Sequence, residues 1–419
     1  MMVALGSQHH DYGAMDIEVR RTSKEEQARA IETCELAFGW NVRPDDMEAI
    51  QKTVEPERTF AAVEGDRFVG AGANYAFELT VPGGHIPAAG LTLVGVLPSH
   101  RRRGILSKLM REFLTDAHDR SEAVSVLWAS ESIIYQRYGY GLAARHMSIQ
   151  AERAHMRFLD DSRSGETARL LTASEAVTEL DPIYEKARST RPGMFARSET
   201  WWREHRLRDP EQDREGASPL WVVIIDIEDE PSAYALYRIK GNWEDGVPRG
   251  TVQIAEAIST SSASAKALWR YLFGVDLIET VESHFMPVDS PLPLMVSDPR
   301  RIKVRISDCL WLRVVDVPAA LRGRSYAAAD RIGFEIRDDI FDDNAGIWTL
   351  DTTGSAEVSH DGTADLSMDV RDLGAAYLGG TTMTSLVEAG RATENTTGAA
   401  TRFDAMFRSA QAPWCPEIF

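Results

Sequence analysis

The chain of 419 residues is short of cysteine, of long apolar runs and of basic charge, and each shortage removes a class of function. Its three cysteines, Cys34, Cys309 and Cys415, stand too far apart for a paired framework or a C-x-x-C metal or redox motif, so a reducing cytoplasm is the expected compartment. No apolar segment reaches the roughly 18 residues of a membrane span. Met1 to Met15 lacks the basic and apolar regions of a signal peptide or anchor and reads as a loose, disordered lead. With 46 Lys and Arg against 64 Asp and Glu, the net charge of −18 has the wrong sign for a general nucleic-acid binder. It suits a cationic ligand, although acidity more often serves solubility alone. None of the ten histidines falls at metal-ligand spacing, so no metal is expected, and no Ser/His/Asp or Cys/His pattern points to nucleophilic catalysis.

What is present is ordinary globular material, 43% hydrophobic and 26% charged, and the length predicts about three domains. Ser23 followed by Glu26 reads as a capping box opening a helix with Ile31, Cys34, Ala37 and Phe38 on its apolar stripe. Thr59 to Val63 and Phe68 to Leu79, joined by Glu64-Gly65-Asp66, read as a hairpin, followed by a strand over Leu91 to Leu97. Ile105, Leu109, Met110, Phe113, Leu114 and Ala117 repeat at helical spacing. A strand over Ala123 to Ala129 and a last one near His146 to Gln150 complete an α/β unit with a mixed sheet.

The same grammar then recurs: a hairpin over Leu220 to Ile227 and Ala233 to Lys240, a strand over Val252 to Ala257, and a helix with Ala265, Leu268, Trp269 and Leu272 on its stripe. From about Ile302 the pattern changes. A strand over Leu310 to Val315, a helix opening at Pro318, half-buried strands at Ile347 to Leu350 and Leu366 to Val370, and helices near Asp372 to Leu378, Thr384 to Ala389 and Ala400 to Phe407 predict a third, α+β domain.

The most informative stretch is Val94-Gly95-Val96-Leu97-Pro98-Ser99-His100-Arg101-Arg102-Arg103-Gly104-Ile105-Leu106, a strand entering a helix through a basic turn. Backbone N–H groups at a helix N-terminus make an anion cradle, and arginines add charge that a pyrophosphate can use. Three consecutive arginines alone fit a solvated charge run better; the strand–loop–helix setting puts the two readings on an equal footing. In the second copy, Ser259-Thr260-Ser261-Ser262 replaces this basic turn.

The junction resembles the GNAT superfamily of N-acetyltransferases, whose R/Q-x-x-G-x-G/A motif reads here Arg101-x-x-Gly104-x-Leu106. The departure at Leu106, together with Ala129-Ser130-Glu131-x-x-Ile134-Tyr135-x-Arg137-x-Gly139-Tyr140-Gly141, resembles the Eis (enhanced intracellular survival) family, and the resemblance covers nearly the whole chain. It implies a lead at 1–15, an acetyl-CoA-binding GNAT domain at 16–152, a degenerate GNAT-like domain at 153–298 and a sterol-carrier-protein-like α+β domain at 299–419.

The resemblance also implies roles. Val94, Gly95 and Val96 would meet the pantetheine arm through their backbone. Arg101, Arg102, Arg103, Gly104, Ile105, Leu106 and Ser107 would form the pyrophosphate loop, with Ser130 and Glu131 lining the far side. Gly95 stands where the family often has alanine, and little effect beyond local flexibility is expected. Tyr135 would be the general acid and the carboxylate of Phe419, at the end of an apolar tail, the base. Taken alone, Tyr135 reads as a core residue. Glu417, Asp45 and Asp46 could attract a polyamine, but read better as solvated surface acids. The implied activity is acetyl transfer from acetyl-CoA to primary amines of cationic substrates, aminoglycosides above all and at more than one position, by a cytoplasmic homohexamer. Alternatives are a protein-lysine or polyamine acetyltransferase and, more distantly, a non-catalytic lipid-binding or interaction protein.

Overall fold

The computed structural model describes residues 17–163 and 165–419; the lead expected at 1–15 lies outside the described residues. Two compact units form, one from residues up to 75 together with 92–116, the other from 76–91 together with 117–419.

The first unit contains β1 (Ile17–Arg21), α1 (Gln27–Phe38), α2 (Pro44–Thr53), β2 (Thr59–Glu64) and the opening of β3 (Arg67–Val81), then the end of β4 (Gly84–Val96) and most of α3 (Ile105–Asp119). β2 pairs antiparallel with both β1 and β3. The expected capping box is half made: the backbone N–H of Ser23 donates to Glu26 at 2.9 Å, but the Ser23 hydroxyl turns to Glu25 at 2.8 Å. Arg20 holds both Glu26 oxygens at 2.7 and 2.8 Å and, with the Ser23 N–H, draws that carboxyl down to about 2. α1 buries Ala30, Ile31, Cys34 and Ala37, and the stripe read for α3 is buried from Ile105 to Leu114.

The second unit continues with β5 (Val124–Leu127), α4 (Ser132–Tyr135), β6 (Gly141–Leu142), β7 (Arg145–Glu152), β8 (Glu166–Leu171), α5 (Ala173–Arg188) and α6 (Glu199–Trp201). Next come β9 (Trp221–Ile227), β10 (Glu230–Lys240), the short pair β11 (Trp243–Glu244) and β12 (Val247–Pro248), β13 (Gly250–Ser259), α7 (Ser262–Gly274), β14 (Ile278–Pro287), α8 (Leu292–Met295) and β15 (Arg305–Asp308). It ends with β16 (Trp311–Val314), α9 (Val317–Arg322), β17 (Arg331–Arg337), β18 (Gly346–Asp351), β19 (Glu357–Ser359), β20 (Leu366–Asp369), α10 (Val370–Tyr377), α11 (Met383–Glu388), β21 (Thr393–Glu394) and α12 (Ala399–Phe407). Among the described residues no helix is long and apolar enough to cross a membrane.

Two strands pair differently from the order in which the sequence presents them. β7, read as the last strand of the first α/β unit, lies between β14 and β15 in a sheet ordered β15-β7-β14-β13-β10-β9-β8. Its alternate residues Met147, Ile149 and Ala151 join Val223, Val252, Ile254, Leu268 and Trp269 in that sheet's core. Conversely β16, read as the opening of the third domain, pairs antiparallel with β5 and β6. All four of its residues are buried, as expected of a central strand. Alternation identifies a strand and its inward face, but partner choice is non-local and leaves no local pattern. The last sheet is ordered β19-β18-β17-β20-β21, with α12 packed on β17 and α11 on α12, while α10 lies against β16 and β6 as well as β20.

Candidate active site

The residues singled out by sequence fall in both units: Asp45, Asp46 and Val94 to Ser107 in the first, Ser130, Glu131, Tyr135, Glu417 and Phe419 in the second.

In the first unit, β4 loses its regular pleat at Leu93, where φ is +53°, and the Cys34 thiol donates to the Leu93 carbonyl. Burial pushes that thiol well up, so it stays protonated. A Cβ on Gly95 would lie 2.9 Å from the Ala37 Cβ and 3.1 Å from the backbone of Cys34. The glycine therefore admits α1 against β4, which corrects the expectation that it adds only flexibility.

The turn is braced by its own arginines. Arg101 donates to the carbonyls of Ala37 at 3.0 Å and Val96 at 3.3 Å, and Arg103 donates to Glu64 at 2.8 Å. Glu64 also meets His100 at 3.1 Å, and Arg103 first, then His100, hold its carboxyl below the usual carboxylate range. Arg102 is exposed, sits at φ +63° and has no hydrogen bond or ion pair among the described residues. Gly104, at φ +78°, has nothing within 4 Å of where a Cβ would stand. α3 follows at once, with its first-turn N–H groups lacking carbonyl partners within the helix. An uncommitted guanidinium, open space and a helix N-terminus are a donor set that fits a pyrophosphate. Asp45 and Asp46 sit in the first turn of α2, where acids complement the helix dipole, and Arg43 holds Asp46 at 2.5 Å.

In the second unit, Tyr135 ends the one-turn α4, buried, its ring edge-on to Tyr140 at 6.1 Å. Burial pushes its phenol up to about 12, against the opposing hydrogen bond with Ser130. Ser130 and Glu131 are both exposed just ahead of it. The apolar tail docks as its composition suggested: the Trp414 N–H donates to the Pro192 carbonyl at 2.9 Å, Arg191 reaches the Ala412 carbonyl at 2.8 Å, and Trp414 and Cys415 are buried. The Phe419 ring stands edge-on to Phe77 at 4.9 Å and to Phe195 at 5.7 Å, and those two rings stack on each other at 3.9 Å.

Glu417 is not a solvated surface acid, and the structure corrects that reading. It is only 2% exposed and receives Arg197 Nε at 2.5 Å. Arg197 also grips Glu256 through both terminal nitrogens at 3.0 and 2.6 Å, and Arg206 approaches Glu256 at 3.0 Å and Glu417 at 3.7 Å. Burial alone would raise the Glu256 pKa, but the two arginines hold it well below the ordinary value. Sequence reasoning missed Arg197, Arg206 and Glu256. One signal was available: Glu256 continues the alternation of buried positions Val252, Ile254 and Ile258 along β13, and an acid at a buried strand position requires a cation.

Comparison with known proteins accords with this architecture. Residues 18–143 and 193–314 each match an acetyltransferase (GNAT) domain family, and residues 317–416 match a sterol carrier protein domain. An uncharacterized N-acetyltransferase of Streptomyces avermitilis is 37% identical over 97% of this chain and 100% of its own. The N-acetyltransferase Eis of Mycobacterium tuberculosis is 32% identical, covering 82% of this chain and 84% of the relative. The crystal structure of Eis1 from Mycobacterium abscessus superposes with a TM-score of 0.83 at 32% identity, over 96% of this chain and 100% of that one. Two GNAT domains with mixed sheets followed by a sterol-carrier-protein-like domain make this an acetyltransferase of the class that uses acetyl-CoA. The chain belongs to the Eis family of GNAT N-acetyltransferases.

Proposed function

We propose that this enzyme transfers acetyl directly to primary amines of cationic substrates, with aminoglycosides as the acceptor class and more than one amine modified. The observation that carries the reading is the placement of Tyr135: a buried phenol, protonated at neutral pH, closes the one-turn α4 directly after the exposed Ser130-Glu131 pair and can donate its proton there.

In this reading Val94, Gly95 and Val96 hold the pantetheine arm by their backbone. Arg102 and the N–H groups from Gly104 to Ser107 hold the pyrophosphate, while Arg101 and Arg103 shape the turn. Ser130 and Glu131 flank the acyl end. Bound acetyl-CoA supplies a thioester whose carbonyl carbon is open to attack. The terminal carboxylate of Phe419 takes a proton from the attacking amine nitrogen, and the Tyr135 hydroxyl gives its proton to the departing sulfur, so no covalent enzyme intermediate is needed. Asp45 and Asp46 contribute negative potential toward a polycation. The chain divides functionally at 16–152, 153–298 and 299–419, with β7 and β16 exchanged across those limits, and it works in the cytoplasm as a homohexamer.

The test is thiol release from acetyl-CoA with a panel of aminoglycosides, polyamines and lysine peptides, comparing wild type with Tyr135→Phe and with a chain carrying one glycine after Phe419. Turnover with aminoglycosides that both changes abolish, while coenzyme binding is kept, is the expected result. Turnover surviving the extension overturns the role of Phe419, and preference for lysine peptides or polyamines overturns the acceptor class.

A further inference from the structure

The second GNAT domain has lost the arginine turn, yet it keeps the opening between its two parallel strands. Among the described residues β13 and β14 pair from Gly250/Ile278 to Ile254/Ser283, and beyond that point β14 pairs with β7, at Met286 and Pro287. Glu256 stands on β13 two residues past the last pair and just beyond a bulge at Ala255, so its side chain shares a face with Leu236 and Tyr234, opposite that of Val252 and Ile254. On that face Arg197 bridges Glu256 and Glu417, and Tyr234 donates its hydroxyl to Glu256 at 2.6 Å. The rings of Tyr184 and Trp202 lie 3.8 and 4.4 Å from the Arg197 guanidinium carbon.

Two acids and two arginines balance to zero charge, so each carboxylate is compensated only while the others are in place. A buried carboxylate without its cation is strongly unfavourable, and Glu417 therefore reaches low exposure only in this seat. In the reading of Phe419 as the base, its carboxylate lies two residues further on. At about 3.5 Å per residue, seating Glu417 keeps the carboxylate of Phe419 within about 7 Å of the Glu417 backbone.

We propose that this face of the sheet of the second, cofactor-less GNAT domain is an anchor for the C-terminal segment, in which Arg197 and Glu256 seat Glu417 and so position the Phe419 carboxylate. The three are positioning residues, and their catalytic effect rests on the reading of Phe419 as the base. The degenerate domain thus retains a part in the reaction as the socket for a group supplied by the third domain.

The experiment uses the full chain. Glu417→Gln, the charge-keeping Glu417→Asp and, should Glu417→Gln fail to fold, Glu256→Gln are measured for kcat, for KM of acetyl-CoA, and for release of Phe419 by carboxypeptidase A. Expected for Glu417→Gln are a kcat at least tenfold lower, a KM within twofold of wild type and Phe419 released at least tenfold faster, with Glu417→Asp between it and wild type. If trimming is no faster, or if it is faster while kcat is unchanged and a glycine added after Phe419 still abolishes turnover, the anchor is overturned and the reading of Phe419 stands. If the added glycine leaves turnover intact, the reading of Phe419 fails, and the trimming rates alone decide whether the anchor holds.

Discussion

Arg313 and Asp338 form a buried two-oxygen ion pair, the guanidinium Nη2 lying 2.7 and 2.8 Å from the two carboxylate oxygens with both side chains at most 1% exposed. Arg313 comes from the central strand β16, and Asp338 from the turn after β17, where it also accepts the Ile340 N–H at 3.0 Å and the Asn344 side-chain amide at 3.0 Å. Removing one partner leaves the other charged and buried, which typically costs about 3–5 kcal/mol. Asp338→Ala should therefore lower the denaturant midpoint sharply, and more than Asp338→Ala adds in an Arg313→Met background. Equal losses in the two backgrounds, measured by urea unfolding, would refute the pairing energy.

That pair also shows where sequence reading stops. Trp311-Leu312-Arg313-Val314 announces a strand by composition, and helical spacing announces α3, because both follow from local periodicity. The exchange of β7 and β16 between sheets depends on which strands meet, and no residue within either strand encodes its partner. At the candidate site, Gly104 and Tyr135 were legible from motif, whereas Arg197 lies some 220 residues before Glu417 in a segment with no motif of its own. Glu256, an acid in the alternation of buried positions along β13, was the one available mark of the network.

Gly95 gives a second prediction, since the overlap with the Ala37 methyl is the tighter of its contacts. Gly95→Ala should destabilise the chain by roughly 1–3 kcal/mol, as overpacking does. Adding Ala37→Gly should recover part of that loss despite the lower helix propensity of glycine. Thermal unfolding of the single and double variants decides it: a double variant less stable than Gly95→Ala would show that the Cys34 backbone is the controlling contact.

Arg101 and Arg102 of the turn should separate by role. Arg102 has no partner among the described residues, so Arg102→Ala should raise KM for acetyl-CoA roughly tenfold, the worth of one charge-assisted contact, with the melting temperature unchanged. Arg101→Ala removes two bonds to backbone carbonyls and should lower the melting temperature as well. Titrating coenzyme binding for both variants tests this, and equal effects on KM and stability from both would contradict the division.

His205 stacks on Trp201 at 4.1 Å, and Trp201 in turn meets Phe77 and Phe195, the rings that bracket Phe419. Burial first, with Arg206 adding to it and Glu417 opposing, draws the His205 pKa below its ordinary value. The unfolded chain therefore binds this proton more readily than the folded one, so the contribution of His205 makes stability fall as pH drops below about 6.5. Protonation would place a charge among the rings that hold the C-terminus. Stability measured by denaturant at pH 7.5 and pH 5.5 should decline toward acid in wild type, and less steeply in His205→Phe, which keeps an aromatic ring against Trp201. Identical slopes for the two proteins would show that other groups carry the acid sensitivity. At the alkaline end the sign follows from Tyr135. A phenol raised to about 12 keeps its proton where an unfolded tyrosine has lost it, so its contribution weakens only above about pH 10, outside the range in which the His205 comparison is made.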